Sequence, residues 1–147
     1  MLPIEAALIP ELRQRGFKRK SRTWWRQGED AVQVFNLQRG FGDEFFFNLG
    51  AYFRELGNEE FPPEHHCHVR ARLERVSAPE YFTPIRSVEA SVDPPAQALQ
   101  ALFLDGMSWL ALVSSKRGLK KFLESKQASS CLIFASAKEL CHAQSDA

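Results

Sequence analysis

The chain has 147 residues, 44% of them hydrophobic and 25% charged, with 19 basic against 18 acidic residues for a formal charge of +1. That is one globular domain, able to bury roughly two thirds of the surface its unfolded form exposes, so a core needs neither metals nor crosslinks. The composition excludes a disordered chain. No run approaches the ~20 apolar residues of a bilayer span, and the N-terminus MLPIEAALIPELRQRG lacks a charged start followed by an apolar h-region, so the expected location is cytoplasmic, with no membrane partner. Cys67, Cys131 and Cys141 are an odd number at unrelated spacings, which fits reduced thiols rather than a disulfide framework.

Ile4, Leu8 and Leu12 recur at helical spacing, but Pro10 lacks an N–H and clashes with the preceding turn. The expectation is a kinked helix, or a short one starting at Pro10, with Gly16 as the left-handed residue after its end. Four β stretches follow. Residues 17–27 (FKRKSRTWWRQ) and 31–38 (AVQVFNLQ) flank Gly28, Glu29 and Asp30, a hairpin loop by length and composition. Residues 44–53 (EFFFNLGAYF) are dense in aromatics after a turn at Gly40 and Gly42. Residues 66–76 (HCHVRARLERV) alternate most clearly: Cys67, Val69, Ala71 and Leu73 point one way, and His68, Arg70, Arg72 and Glu74 the other. Short connections make neighbouring strands antiparallel, while the longer stretch 54–65, with Pro62 and Pro63, leaves the order of the third and fourth open.

Residues 77–95 read as a long connection with a short element around Tyr81 to Val88. Asp93 and Pro94 signal a helix start, Leu99, Leu102, Phe103 and Met107 its buried stripe, and Gly106 its end. Ser114 or Ser115 can cap a second helix with Leu119, Phe122 and Leu123. Ser129 or Ser130 can cap a third, about 129–142, carrying Ile133, Phe134, Ala137, Leu140 and Cys141. The predicted whole is a single α+β domain over 1–147: an N-terminal helix, a four-stranded, mostly antiparallel sheet, and C-terminal helices packed on one sheet face.

Taken in order, GFKRKSRTWWR, VQVFNLQ, FFFNLGAYF, CHVRARL and GMSWL before a serine-capped helix resemble the bacterial family catalogued as domain of unknown function 4304. The resemblance covers about residues 8–126. It lies in the order and spacing of the strands, and it implies a fold but no catalytic residues.

His65, His66, Cys67 and His68 carry zinc-type ligands. In a strand His66 and His68 face one side and His65 and Cys67 the other, so at most two reach one ion. Cys131, Cys141 and His142 lack the spacing to complete a site, and the competing reading is a buried Cys67 beside a surface His68. There is no GxSxG elbow, and an adjacent Cys/His pair in one strand points apart, which prevents activation of the thiol. No GxxxxGK[ST] or GxGxxG loop cradles phosphates, so no cofactor, metal or catalytic group is expected. Glu59, Glu60 and Glu64 read as a solvated surface.

The basic material is more informative. Between Glu11 and Arg26 there are seven basic residues and one acidic one, in a chain whose total charge is only +1, so the charge is segregated. In a single strand from Phe17, the side chains of Lys18, Lys20, Arg22, Trp24 and Arg26 share one face, although Trp24 and Trp25 alternate and one of them belongs in the core. Set beside Asn48, Tyr52, His68, Arg70 and Arg72, that face is cationic, hydrogen-bonding and aromatic. The first reading is a non-catalytic protein-interaction domain, immunity-like or an adaptor by analogy, that docks an acidic partner on this face. The alternative is a nucleic-acid-binding module using the same residues, distinguished by a steep, log-linear salt dependence. A third is an enzyme with dispersed residues around a deep pocket. The competing bland reading is a solvated face whose lysines discourage edge pairing.

Overall fold

Ile4, Leu8 and Leu12 are all fully buried, which holds α1 (Pro3–Gln14) against the sheet. It is one helix through Pro10, not a short one starting there. An interior proline costs about 3 kcal/mol, and burying three aliphatic side chains at about 1.5–3 kcal/mol each outweighs that. The helix ends as Gly16 requires: Gly16 has φ +93°, its N–H donates to Arg13 O, and the Phe17 N–H donates back to Leu12 O, both at 3.0 Å.

The computed structural model describes residues 1–145. The sheet has six strands, β1 (Lys18–Lys20), β2 (Thr23–Gln27), β3 (Ala31–Arg39), β4 (Phe45–Phe53), β5 (Val69–Arg72) and β6 (Leu132–Ile133), in that spatial order and each antiparallel to its neighbour. The two strands beyond the expected four have separate causes. Residues 17–27 are a hairpin rather than one strand, because the chain turns at Ser21, whose φ is +55° without being glycine. After Ser130 the chain extends along β5 instead of entering a helix, so Ile133 is a strand residue and the last helix starts at Ala135.

The remaining helices are α2 (Phe82–Arg86), α3 (Ala96–Ala101), α4 (Met107–Val113), α5 (Lys116–Leu123) and α6 (Ala135–Ser145). α3 begins after Pro95, beyond the Asp93–Pro94 signal. Gly106 does not end it. A π-helical turn, Leu102–Gly106, joins α3 to α4, and the Asp105 carboxylate there accepts the Ala78 N–H at 2.8 Å. The 18 residues Ala96–Val113 are long and apolar enough to cross a membrane by length and composition, and Ala98, Ala101, Leu102, Leu110 and Val113 among them are fully buried in the core. α5 is capped by Ser115, whose hydroxyl accepts the Gly118 N–H at 2.9 Å.

All six helices contribute to one apolar cluster with Trp24, Phe35, Leu37, Phe45, Phe47, Leu49, Phe53, Val69 and Ala71. The helices therefore cover one face of the sheet. Asn48 and Tyr52 of β4 and Arg70 and Arg72 of β5 share one face as the alternation indicates, but the Ser21 turn changes the facing within the first hairpin. Lys18 pairs with Trp25, Arg19 with Trp24 and Lys20 with Thr23. Trp24, 1% exposed, faces the helices and packs tilted against Phe35 with ring centroids 5.1 Å apart, while Trp25 takes the opposite face.

Trp24→Ala should cost about 3–5 kcal/mol by urea denaturation, and Trp25→Ala markedly less, because only the first opens a cavity in the main core. Equal losses would contradict the hairpin at Ser21.

Candidate functional site

The second face of the sheet is not left open. Residues 54–68, between β4 and β5, fold back over it as a strap. Cys67 is fully buried with Val32, Val34 and Tyr52 in a second, smaller apolar cluster, flanked by Trp25. Gly50 makes this possible, since a Cβ there would lie 2.7 Å from Cys67 Sγ and 2.8 Å from its Cβ. Polar groups fasten the strap. The Trp25 indole N–H donates to Pro62 O at 2.7 Å, and the Glu59 N–H donates to the Tyr52 hydroxyl oxygen at 3.3 Å. Arg70 forks onto Glu64, with Nε and Nη2 donating to its two carboxylate oxygens at 3.0 and 3.2 Å.

Two concavities flank the strap on this face. The larger is a groove of about 620 Å³ between the strap and the first hairpin, floored by Trp25, Phe61 and Pro63 and rimmed by Lys18, Arg19 and Lys20. Phe61 is 48% exposed and sets its ring edge-on to Trp25 at 5.4 Å. All three β1 residues are exposed on the outermost strand, and no carboxylate pairs with them among the described residues. The smaller is a cleft of about 320 Å³ at the β5 end, lined by Gln38, Asn48, Arg70, Arg72, Arg75 and Ser130 among others.

The residues singled out from the sequence are dispersed by this arrangement. Lys20, Thr23, Asn36, Asn48 and Arg72 form one cross-strand row, and Lys18, Trp25, Val34, Gly50 and Arg70 the next. The lysines thus share a face with Asn48, Arg70 and Arg72, but four strand steps, about 19 Å, separate them. Trp24 is in the helical core. Arg22 lies in the turn, ion-paired with Glu5 at 3.6 Å and over the Phe45 ring, and Arg26 stacks on Phe17 and donates to Gln33 Oε1; neither guanidinium joins the open face. Tyr52 lies beneath the strap and His68 is its last residue; at 4% and 8% exposed they present no docking surface. Cys67, expected beside Val69 and Ala71, faces the strap cluster instead.

Asn48 is spent on a side-chain ladder: its Nδ2 donates to Asn36 Oδ1 at 3.3 Å and to Gln38 Oε1 at 2.8 Å, and Asn36 in turn donates to Thr23 Oγ1 at 3.0 Å. The zinc-type cluster does not converge. His66 meets Glu59 at 3.0 Å, Cys67 is buried with its thiol pushed far up by desolvation, and the His68 ring lies against Tyr52.

Trp25, Phe61, Phe46 and Arg75 were not singled out from the sequence. For Trp25 the available signal is Ser-Arg between two basic runs, which permits a turn that swaps the tryptophans. For Phe61 it is an aromatic preceding Pro62 and Pro63, a stiff, extended segment with nowhere local to bury a ring.

Gly50→Ala should destabilise by about 1–3 kcal/mol in urea denaturation, against the usual gain for adding a methyl in a strand, and should couple to Cys67→Gly in a double-mutant cycle. His68 supplies a pH signature. Its Nδ1 accepts the Phe53 N–H at 2.9 Å, so the neutral ring fits, and burial holds its pKa below the ordinary 6.5 against an opposing pull from Glu59. Below pH 6.5 the unfolded chain binds a proton that the folded one still refuses, so this residue's contribution falls as pH drops from 6.5 toward the folded-state value and is unaffected above it. Urea midpoints between pH 7.5 and 5.5 should fall less for His68→Asn than for the parent; parallel declines would refute the assignment.

No curated protein and no solved structure matches the chain. The model of the family described as domain of unknown function (DUF4304) matches residues 8–106, from within α1 to the π turn, which takes in the whole groove and all of the cleft except its margin at Ser130 and Leu132. With most of its length matched in this way, the chain belongs to that family.

Proposed function

We propose that the chain is a non-catalytic interaction domain that binds an acidic, extended segment of a partner protein along β1 and in the adjoining Trp25–Phe61 groove. The observation that carries this reading is the juxtaposition of an apolar, aromatic floor with three cations that lack a carboxylate partner among the described residues. Apolar anchors supply most of the affinity at such a site, and the cations steer association and select sign. β1 is the outer strand of the sheet, so its free edge offers main-chain hydrogen bonds to an added strand.

The same three cations repel a second copy of β1, so the edge that discourages self-pairing admits an acidic strand. The cytosol is the compartment that suits three free thiols. Nucleic acid is the weaker reading. The Trp25 indole N–H is committed to Pro62 and its ring already has Phe61 edge-on, and a net charge of +1 gives little general attraction to phosphate backbones.

A ten-residue peptide alternating Glu and Val, titrated by calorimetry, should bind the parent. Lys18→Glu with Lys20→Glu, and separately Phe61→Ala, should each weaken it at least about tenfold. Arg72→Ala with Arg75→Ala should leave that binding in place. Tighter binding of oligothymidylate, collapsing log-linearly with salt, would move the reading to nucleic acid, and binding of neither probe would end it.

A further inference from the structure

The cleft at the β5 end is separate from the groove and contains a different kind of charge. Three arginines and one glutamate line it. Arg70 and Glu64 satisfy each other through two hydrogen bonds, with Glu64 buried, so that pair is a fixed strut and adds no net charge. Two positive charges remain. Arg72 projects from the end of β5 and lays its guanidinium on the Phe46 ring, Cζ 3.9 Å from the centroid. That contact restrains the guanidinium, and its N–H donors are uncommitted, since no hydrogen bond or ion pair involves it among the described residues. Arg75, exposed on the 3-10 turn Leu73–Arg75, enters the same cleft, and it too has no ion-pair partner there.

The polar floor has the matching chemistry. Gln38 Oε1 is occupied as the acceptor of the Asn48 amide, which turns the Gln38 NH₂ into the group left to donate. The cleft therefore presents donors from two guanidinium planes and one amide around about 320 Å³, with two charges to be matched. A single carboxylate has two oxygens in one plane and one charge. A phosphate monoester has three oxygens arranged tetrahedrally and up to two charges, so it can accept from guanidinium groups lying in different planes.

We infer that this cleft is a binding site for the phosphate group of a small phosphomonoester, held by Arg72 and Arg75 over the Gln38 amide. Arg72 is the selective element, because its stacked fork is preorganised, whereas a lysine there would offer only a point charge. The acidic-segment reading of the groove is independent of this site and stands or falls separately.

The test is titration of the full chain with glycerol 3-phosphate, inorganic phosphate and succinate at matched ionic strength, followed by the arginine Nε–Hε NMR signals. Both phosphate probes should shift Arg72 and Arg75 and leave Arg70 nearly still, with succinate at least about tenfold weaker. Tighter binding of glycerol 3-phosphate than of inorganic phosphate would show that the cleft also holds the organic part, and equal binding would assign recognition to phosphate alone. Arg72→Gln with Arg75→Gln should abolish the response, and Arg72→Lys should weaken it several-fold with its charge kept. Both arginines are exposed, so these variants should fold, which unchanged amide spectra would verify. The inference is overturned if succinate binds as tightly as phosphate, if surface lysines respond as strongly as the two arginines, or if the Gln variants bind like the parent.

Discussion

Gly50 has no side chain, and Cys67 occupies the space a methyl would take. From that contact the organisation of the second sheet face follows. With the strap seated in the notch, Val32, Val34 and Tyr52 lose their exposure to water and become a small core of their own. The sheet is then buried on both sides over its middle, and only its two flanks remain accessible. A wider residue at position 50 would lift the strap, and with it Phe61, Pro63 and Glu64, which shape both concavities. The strap is also held by hydrogen bonds that its own sequence neighbours could not supply: Trp25 to Pro62, Glu59 to Tyr52 and Arg70 to Glu64. Each joins it to a different strand, so it is clamped across the sheet and not along it.

The two flanks differ in how their charges are managed. At β1 three consecutive cations sit over apolar surface, a pattern that attracts a chain of opposite sign while refusing a copy of itself. At β5 Arg70 is neutralised by a buried glutamate and Arg72 is held over an aromatic ring, which favours a compact ligand with fixed geometry. The polar ladder through Thr23, Asn36, Asn48 and Gln38 lies between them. It satisfies the amides of half-buried Asn36 and buried Asn48, and it holds Gln38 at the cleft. Beneath the other face, Arg26, Gln33 and Ser114 form a comparable polar track that pins β2 and β3 to the end of α4.

Much of this architecture was legible from residue order. The alternation of Phe45, Phe47 and Leu49 with Phe46 and Asn48, and of Val69 and Ala71 with Arg70 and Arg72, assigns each side chain to a face, because the pleat repeats every two residues whatever the strand packs against. Gly16 marked the end of the first helix, Ser114 or Ser115 the start of α5, and Gly28 to Asp30 a hairpin. The site was less legible. A turn at Ser21 reverses the facing of the residues after it relative to those before it, so Trp24 and Trp25 exchange faces, and a serine in the left-handed region carries no strong local signal. Phe61 carries no site signal in the sequence, because its partner, Trp25, is far away along the chain.

What the sequence determined by itself is therefore the set of elements and the inward or outward sense of the long central strands, since these depend on local backbone geometry and on the period of apolar residues. Only the tertiary structure decided which polar and aromatic groups meet. The strap's return over Gly50, the pairing of β6 with β5, and the distance that separates Lys18 and Lys20 from Arg70 and Arg72 arise from contacts between segments far apart in the chain. Such contacts are chosen by shape and by the satisfaction of buried groups, and no spacing rule along the chain encodes them.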